Sequence, residues 1–275
     1  MSYTPGQLKI EGKTKQVYET LEGSSHVIIH SKDDLTAGDG KRHDVIPGKG
    51  IVSNTTSCNV FSMLKSVGIP VAFVEQLSAS EMLAESCDML PLELVARRLA
   101  QGSILERQPS LKELHRFDPV VTELFLKTSR KKWKGTDLPV DDPFMWVFRE
   151  NVTLHLPDEP FRIQNAFRTL LLSDIIGDRD PGFLDLILSL LKKTFLTLEE
   201  AYMAAGNFEL VDMKIECGLT KDGRLVVADV IDAESIRLRR DGKNYDKQPY
   251  RDGGLNPEIM ERFQEVLMAS GKFPH

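Results

Sequence analysis

An α+β fold with two lobes is predicted from three features of the sequence. Short β-rich stretches alternate with Gly and Asp turn signals over residues 9–75, which predicts a mostly antiparallel N-terminal sheet that includes VAFVEQ. Apolar residues recur at helical spacing over 55–67, so we expect one helix inside this lobe. The same spacing over 182–197 predicts a long buried helix further along the chain.

The joint between the lobes is placed where the chain passes through DMLP, at residues 88–91. We therefore predict a β-rich lobe at 1–90 and a larger α+β lobe at 91–275. The stretch 129–180 is rich in Pro, Asp and basic residues and has weak periodicity, which predicts loops or insertions. Within it, 151–174 is interpreted as extended loop and helix.

Composition indicates an ordinary globular protein. The chain has 275 residues, 41% hydrophobic and 28% charged, and a formal net charge of -6, so its overall field does not favour nucleic acid or anionic lipid as a partner. No run approaches the roughly 18 apolar residues needed to cross a bilayer, and the N-terminus lacks a signal-peptide core. The three cysteines form no CxxC pair. We expect a cytoplasmic protein with no membrane or nucleic-acid partner.

Two carboxylates are expected to face each other across a hairpin near the C-terminus. Strand alternation in ELVDMKIECG puts Asp212, Lys214 and Glu216 on one face and apolar residues on the other. Asp222-Gly223 is a strong two-residue turn signal, and pairing outward from it sets Glu216 opposite Asp229 unless a bulge shifts the register.

A divalent metal is one explanation of this pair. Like charges directly opposite each other destabilise a sheet unless something positive lies between them, and two carboxylates completed by phosphate oxygens suit Mg²⁺ bound to ATP. We therefore predict a metal site at Glu216 and Asp229. The alternative is a solvated sheet face on which Lys214 balances the charge.

Two lysines near the N-terminus could bind a polyphosphate. Strand alternation in KIEGKTKQVYE places Lys13 and Lys15 on the same face, with Gly12 leaving room for a ligand. A KxK strand on its own is more typical of a solvated face. The P-loop pattern fails because Gln7 stands where its first glycine is needed, and GxGxxG is absent.

Arginines beside small residues form a third set of candidates. Arg97 precedes Gly102-Ser103, Arg237 follows Ser235, and Arg251 lies in KQPYRDGG. Arginine forks suit a phosphate monoester or a carboxylate, although each residue alone is more typical of a surface ion pair.

At these residues the sequence resembles the family of SAICAR synthetases, or phosphoribosylaminoimidazole-succinocarboxamide synthases. The similarity runs in blocks: EGKTKQVYE, LTAGDGKRHD, MLPLELVARRLAQGS, ELFLK, LVDMKIECG, ADVIDAESIRL and DKQPYRD. It implies a two-lobed, kinase-like or ATP-grasp-like α+β fold with a nucleotide-binding first lobe and a second lobe for substrate and metal. It also implies an ATP-dependent ligase of purine biosynthesis that joins carboxyaminoimidazole ribonucleotide to L-aspartate, releasing ADP and phosphate.

The resemblance also implies a role for each matching residue. Those expected to bind ATP are Lys13, Lys15, Asp88, Met89, Leu90 and Lys127, with Glu216 and Asp229 holding Mg²⁺. Those expected near the ribonucleotide or aspartate are Asp39, Arg97, Ser103, Asp212, Ser235, Arg237, Lys247 and Arg251. Lys13, Lys214 and Asp212 are the expected catalytic residues.

The implied reaction needs no covalent enzyme nucleophile, because ATP would phosphorylate the imidazole carboxylate and the aspartate amine would attack the acyl phosphate. The sequence departs from the family pattern at Cys217 and in a longer basic loop after ELFLK. Animal relatives carry a following carboxylase domain, which we expect this chain to lack. A small-molecule kinase on the same architecture is an open alternative, as is a homo-oligomer. An RNA-binding role for the basic residues and Trp133 in 130–134 is disfavoured by the net charge.

Overall fold

The structure is a computed structural model that describes residues 3–37, 42–180 and 182–274, except for the side chain of Ser24. In chain order its elements are β1 (Pro5–Glu11), β2 (Lys15–Thr20), β3 (Gly23–Ser31), β4 (Asp34–Ala37), β5 (Arg42–Val45), α1 (Lys49–Ser66), β6 (Phe73–Gln76), β7 (Glu81–Glu85), β8 (Cys87–Met89), β9 (Leu92–Leu99), α2 (Ser103–Arg107), β10 (Arg116–Leu126), β11 (Lys132–Trp133), β12 (Thr136–Asp137), β13 (Phe144–Phe148), β14 (Asn151–His155), β15 (Arg168–Leu171), α3 (Ser173–Ile176), α4 (Gly182–Gly206), β16 (Glu209–Thr220), β17 (Leu225–Ala228), β18 (Ile236–Arg240), β19 (Lys243–Asn244), α5 (Gln248–Arg251) and α6 (Asn256–Ser270). The predicted α+β class is confirmed.

The chain divides into two compact units. The first comprises 1–88, 196–210 and 218–275, and the second comprises 89–195 and 211–217. The passage at 88/89 agrees with the predicted joint, but the prediction of one continuous lobe over 91–275 differs from this division. The C-terminal residues belong to the first unit because α6 packs against α1 and Val227 forms a β-bridge with Val71. Such long-range pairings leave no local signal in the sequence.

The first unit contains a five-stranded antiparallel sheet in the order β1-β2-β3-β7-β6, against which α1 packs. The predicted helix over 55–67 begins earlier, at Lys49, where Gly48 has a positive φ of 85°. Gly50 permits this start, because a Cβ there would collide with the carbonyl of Ser31. The stacked rings of Phe61 and Phe73, 5.9 Å apart, join helix to sheet.

The second unit contains antiparallel strands in the order β15-β14-β13-β10-β9-β16. The stretch 151–174, predicted as extended loop and helix, contains a 3₁₀ helix (Ile163–Asn165) and the start of α3. However, it also supplies β14 and β15, because the register pairs Met145 with Leu154 and Val152 with Leu170. A cluster of Val95, Phe125 and Phe144 fills one face of this sheet. The predicted buried helix is confirmed as the first part of α4, where Ile187, Leu191 and Phe195 are fully buried.

No helix in residues 3–37, 42–180 or 182–274 combines the length and the apolar character that crossing a bilayer requires.

Candidate active site

Four charged side chains meet on one face of the sheet in the second unit. Arg97 pairs with Asp212 and Val95 with Lys214, so the odd-numbered residues of β9 and the even-numbered residues of β16 share a face. Lys214 Nζ donates to Glu93 Oε1 and to Glu216 Oε1, both at 3.2 Å. Lys127 also donates to Glu216, and its Nζ lies 3.9 Å from Glu93 Oε1. Two carboxylates therefore alternate with two ammonium groups.

Burial and charge together fix the ionisation of this cluster. The alternative to a metal site is a solvated sheet face on which Lys214 balances the charge. The side chain of Glu216 is only 7% exposed, so the face is not solvated at this residue, but Lys214 does pair with Glu216. Burial disfavours the charged form of Lys214, but Glu93 and Glu216 outweigh burial and raise its pKa above the usual value. Lys214 is consequently a fixed cation that can stabilise negative charge and cannot serve as a general base at neutral pH.

The first unit holds three more of the residues that we assigned to ATP and metal, namely Lys13, Lys15 and Asp229. Lys15 begins β2, and its Nζ donates to Asp229 Oδ1. Asp229 lies one residue beyond β17 with a φ of 66°, a left-handed conformation that is costly for any residue except glycine. Lys13 is not part of a strand: it lies exposed in the turn between β1 and β2, where Gly12 N donates to Lys15 O. The prediction that Lys13 and Lys15 share a strand face is therefore wrong.

The turn after β16 has three residues instead of the predicted two. Thr220 N donates to Arg224 O at 3.0 Å, and Gly223 adopts a φ of 82°, as in a hairpin with a glycine bulge. A two-residue turn at Asp222-Gly223 would pair Lys221 with Arg224. The observed turn does not, so the register from which Glu216 was set opposite Asp229 is wrong. Glu216 belongs to the second unit and Asp229 to the first.

The donor chemistry of these two carboxylates fits Mg²⁺. Hard cations prefer carboxylate oxygens, and Mg²⁺ in nucleotide enzymes commonly takes one or two carboxylates and completes its shell with phosphate and water. Within the described ranges, no group of three or more His, Cys, Asp or Glu is arranged to hold a metal. A Mg²⁺ at either carboxylate would therefore take most of its ligands from a bound nucleotide and water.

A buried charge ladder extends along the same face of the second unit. Arg97 is 3% exposed and donates from Nε to Glu123 Oε2 at 2.5 Å and from Nη1 to Asp212 Oδ2 at 2.6 Å. Nη1 also donates to the Gln101 carbonyl at 3.2 Å. Burial alone would lower the pKa of Arg97, but Asp212 and Glu123 raise it. In the described part of the chain these bonds use Nε and Nη1 of Arg97. Nη2 is therefore the nitrogen with which a ligand anion could interact.

The remaining predicted substrate residues lie at separate places. Ser103 begins α2 directly after Gly102, in the second unit. In the first unit, Arg237 Nε lies 3.7 Å from Asp246 Oδ2, and the exposed Arg251 donates to Gln248 Oε1 at 3.2 Å. Ser235 Oγ donates to the Asp232 carbonyl at 3.1 Å. Asp39 lies outside the described residues.

Lys247 belongs to a second buried charge group, in the first unit. Its Nζ donates to Glu234 Oε2 at 3.1 Å, and Lys49 forms an ion pair with the same carboxylate. Burial would raise the pKa of Glu234, but Lys49 and Lys247 lower it. Asp232 is buried beside this pair, and burial followed by the charge of Glu234 raises its pKa.

The segment predicted to bind adenine runs from one unit to the other. Asp88 and Met89 are exposed and end β8, and the chain passes to the second unit between them. Leu90 is buried, and its N–H donates to the Cys217 carbonyl at 2.9 Å. The Leu90 N–H therefore already has a hydrogen-bond acceptor within the protein.

Comparison with protein families decides where this chain belongs. The model for SAICAR synthetase matches residues 8–142 and 183–268, which is most of the chain. The chain belongs to the SAICAR synthetase family. A phosphoribosylaminoimidazole-succinocarboxamide synthase from Roseiflexus sp. is 38% identical over 95% of this chain and 95% of its own length. The chain spans about half the length of the animal relatives that it also matches.

Solved structures of SAICAR synthetases share the fold. The synthase from Ehrlichia chaffeensis has a TM-score of 0.76 at 25% identity, with 98% of this chain and 100% of that one covered. A SAICAR synthetase in complex with ADP has a TM-score of 0.76 at 24% identity, with 97% and 99% covered. Residues 143–182, which contain β13 to β15 and α3, fall outside the SAICAR synthetase match.

Sequence reasoning missed several charged residues that form ion pairs with the predicted site residues of this SAICAR synthetase family member or with their partners. Glu93 could have been found, because it lies four residues before Arg97 in a mostly apolar strand and strand alternation puts both on one face. Glu123 and Arg107 gave no comparable signal. Arg107 stands between Glu106 and Gln108, where a charged side chain ordinarily faces solvent, and the burial of both residues follows from the tertiary fold. Lys49 is hidden at the first turn of α1, where a lysine ordinarily faces solvent.

Proposed function

We propose that this chain joins the carboxylate of carboxyaminoimidazole ribonucleotide to the amino group of L-aspartate, with ATP converted to ADP and phosphate. The observation that carries the proposal is the 38% identity to a synthase of that name over 95% of both lengths. The ADP held by a solved relative supports the nucleotide part of the proposal. The product is SAICAR, an intermediate of purine biosynthesis.

The proposed reaction has two steps. A carboxylate oxygen of the ribonucleotide attacks the γ-phosphorus of ATP, and the bond from that phosphorus to the β,γ-bridging oxygen breaks, releasing ADP. The aspartate nitrogen then attacks the acyl carbon, the carbon–oxygen bond to phosphate breaks, and the nitrogen loses a proton. Phosphoryl transfer needs positioning and charge neutralisation more than covalent help from the protein.

Fixed cations are what this chain contributes to the first step. Lys214 and Lys127, held by Glu216 and Glu93, would neutralise charge that develops on the transferred phosphoryl group, and Lys13 and Lys15 would bind ATP phosphates. Mg²⁺ supplies further neutralisation when bound, and Glu216 and Asp229 are the residues proposed to hold it.

Cysteine chemistry is a poor alternative to direct transfer. Burial raises the pKa of Cys58 and of Cys217 to about 12, and it raises the pKa of Cys87 to about 11. Thiolate, the nucleophilic form, is therefore scarce at neutral pH. All three cysteines are free thiols, which supports the cytoplasm as the proposed location.

A coupled ADP-release assay with the ribonucleotide, with and without L-aspartate, tests the proposal. The ligase requires aspartate for sustained ADP release. ADP release that is equally fast without aspartate, given a hydroxyl acceptor, would identify a small-molecule kinase and overturn the proposal.

The metal assignment has its own test. Asp229→Asn should lower turnover by a factor of about 100 or more, equivalent to about 3 kcal/mol of barrier, because the proposed metal loses a charged ligand. Asp241→Asn is the matched control, since Asp241 is exposed and has a similar φ of 51°. Turnover of the Asp229 variant equal to that of the control would remove Asp229 from the site.

The phosphate assignment is tested in the same assay. Lys13→Ala should raise the KM for ATP at least severalfold and leave the KM for aspartate nearly unchanged, because Lys13 is proposed to contact the phosphates of ATP and not aspartate. Lys9→Ala, an exposed lysine of β1, is the control. An unchanged KM for ATP in the Lys13 variant would contradict that role.

A further inference from the structure

Glu123 lies between two arginines in the interior of the second unit. It accepts from Arg97 Nε through Oε2 at 2.5 Å, and its Oε1 accepts from Arg107 Nη2 at 2.6 Å and from Arg107 Nε at 3.1 Å. The exposed fractions of Glu123 and Arg107 are 6% and 3%. A carboxylate held on both oxygens by guanidinium groups has little freedom to rotate.

Arg107 is itself fixed on every side that the structure describes. Its Nη1 donates to the Pro157 carbonyl at 2.6 Å, and its guanidinium carbon lies 5.1 Å from the ring centre of Phe125 and 5.0 Å from that of Phe144. These rings belong to the apolar cluster of the sheet. The position of Glu123 is therefore tied to the hydrophobic core.

We propose that Glu123, held in place by Arg107, is a positioning residue for the ribonucleotide that acts through the bond it accepts from Arg97 Nε. The inference rests on the proposed function, in which Arg97 binds an anionic group of that substrate. Asp212 and the Gln101 carbonyl both hold Nη1, so the plane of the guanidinium could turn about that atom. The bond from Nε to Glu123 prevents this turn and fixes the direction of Nη2.

The competing explanation is charge balance alone. Asp212, Arg97, Glu123 and Arg107 carry formal charges that cancel, so Glu123 and Arg107 could simply neutralise each other. A substitution that removes only Glu123 would leave two buried guanidinium groups with one carboxylate, and unfolding could then hide any effect on binding. Double variants avoid this problem because they remove one charge of each sign.

Two double variants differ only in whether Arg97 Nε keeps an acceptor. Glu123→Gln/Arg107→Met retains an amide oxygen at this position, whereas Glu123→Leu/Arg107→Met does not, and both have the same net charge. Arg98→Lys is the control, because Arg98 is a neighbouring arginine of β9 that is also mostly buried and donates to the Phe117 carbonyl. For each protein the KM values for ribonucleotide, ATP and aspartate are measured together with kcat and Tm.

The proposal expects the Leu/Met variant to raise the KM for the ribonucleotide roughly tenfold, with the KM values for ATP and aspartate within about twofold of wild type. The Gln/Met variant and the control should stay within about threefold of wild type for the ribonucleotide. A purely structural or charge-balancing role of Glu123 would not make the Gln/Met variant bind the ribonucleotide better than the Leu/Met variant.

Three results would overturn the proposal. They are equal ribonucleotide KM values in the two double variants, a Leu/Met value within twofold of wild type, and a parallel rise in all three KM values with a fall in Tm. Aspartate-dependent ADP release by the wild-type protein is measured first. Its absence would reject the proposed function, whereas its presence with any of the three results would reject only the positioning role.

Discussion

The ion pair between Arg97 and Asp212 can be measured by a double-mutant cycle with Arg97→Met, Asp212→Leu and the double variant. Nη1 and Oδ2 are 2.6 Å apart, and both residues are almost fully buried. Arg97→Met leaves the buried cluster with a net charge of -1, and Asp212→Leu leaves it with +1. The double variant restores neutrality, since Glu123 and Arg107 still pair.

The magnitude follows from burial and charge. Removing one partner of a buried pair costs about 3–5 kcal/mol, whereas replacing both partners by apolar residues of similar size is often nearly neutral. Two unit charges about 4 Å apart in an effective dielectric of about 20 attract by about 4 kcal/mol, which agrees with that range. For a chain of this length, 3–5 kcal/mol corresponds to a fall in Tm of about 5–9 °C.

Calorimetry and urea unfolding provide the measurement, with both units monitored because they need not unfold together. We expect each single variant to lose about 3–5 kcal/mol and the double variant to lose less than either. The reasoning is refuted if the single losses are below about 1 kcal/mol, or if the double variant loses the sum of the two.

Three further predictions concern individual side chains. Cys87, with its pKa raised to about 11, should react with iodoacetamide at pH 7.5 at least about tenfold more slowly than an ordinary thiol of pKa about 8.5, because its thiolate fraction is about 300-fold smaller and the greater nucleophilicity of a more basic thiolate offsets only part of this difference; mass spectrometry showing ordinary reactivity would contradict this. Asp142→Asn should raise Tm at pH 7, because burial raises the pKa of Asp142 in the folded protein and so makes its ionised form destabilising. The gain should vanish near pH 3, where Asp142 is protonated in both the folded and the unfolded protein; an equal gain at both pH values would contradict this. Tyr250→Phe should lower Tm by about 2–4 °C at pH 7, since the hydroxyl donates to Asp44 at 2.7 Å. The loss should shrink as pH falls, because this bond lowers the pKa of Asp44 and protonation of Asp44 removes the benefit. A loss that is independent of pH would contradict this explanation.

The alternation of polar and apolar residues and the helical periodicity were sufficient to predict individual strands and helices. The charged face of β16 and the buried face of α4 both follow from residues two or three to four positions apart, which is the range over which a sequence pattern reports directly. Lys214 and Glu216 could therefore be assigned to one face of a strand from their spacing alone.

Features that depend on one extra residue or on distant segments could not be predicted. A single additional turn residue before Arg224 shifts the register of the hairpin. The turn at Lys13 interrupts a segment for which the alternation of side chains predicts a continuous strand. Glu123 meets Arg97 and Arg107 only because β9, β10 and α2 come together, and no spacing in the sequence encodes that meeting. The strands at 151–155 and 168–171 likewise form because neighbouring strands supply their partners.

Transfer of an oxygen isotope tests the central claim, that the terminal phosphoryl group of ATP passes to the carboxylate of the ribonucleotide. The ribonucleotide is labelled with ¹⁸O in both carboxylate oxygens and incubated with the protein, ATP and L-aspartate. If an acyl phosphate forms, the released phosphate carries one ¹⁸O atom and the amide product keeps the other. Formation of SAICAR with unlabelled phosphate would contradict the account.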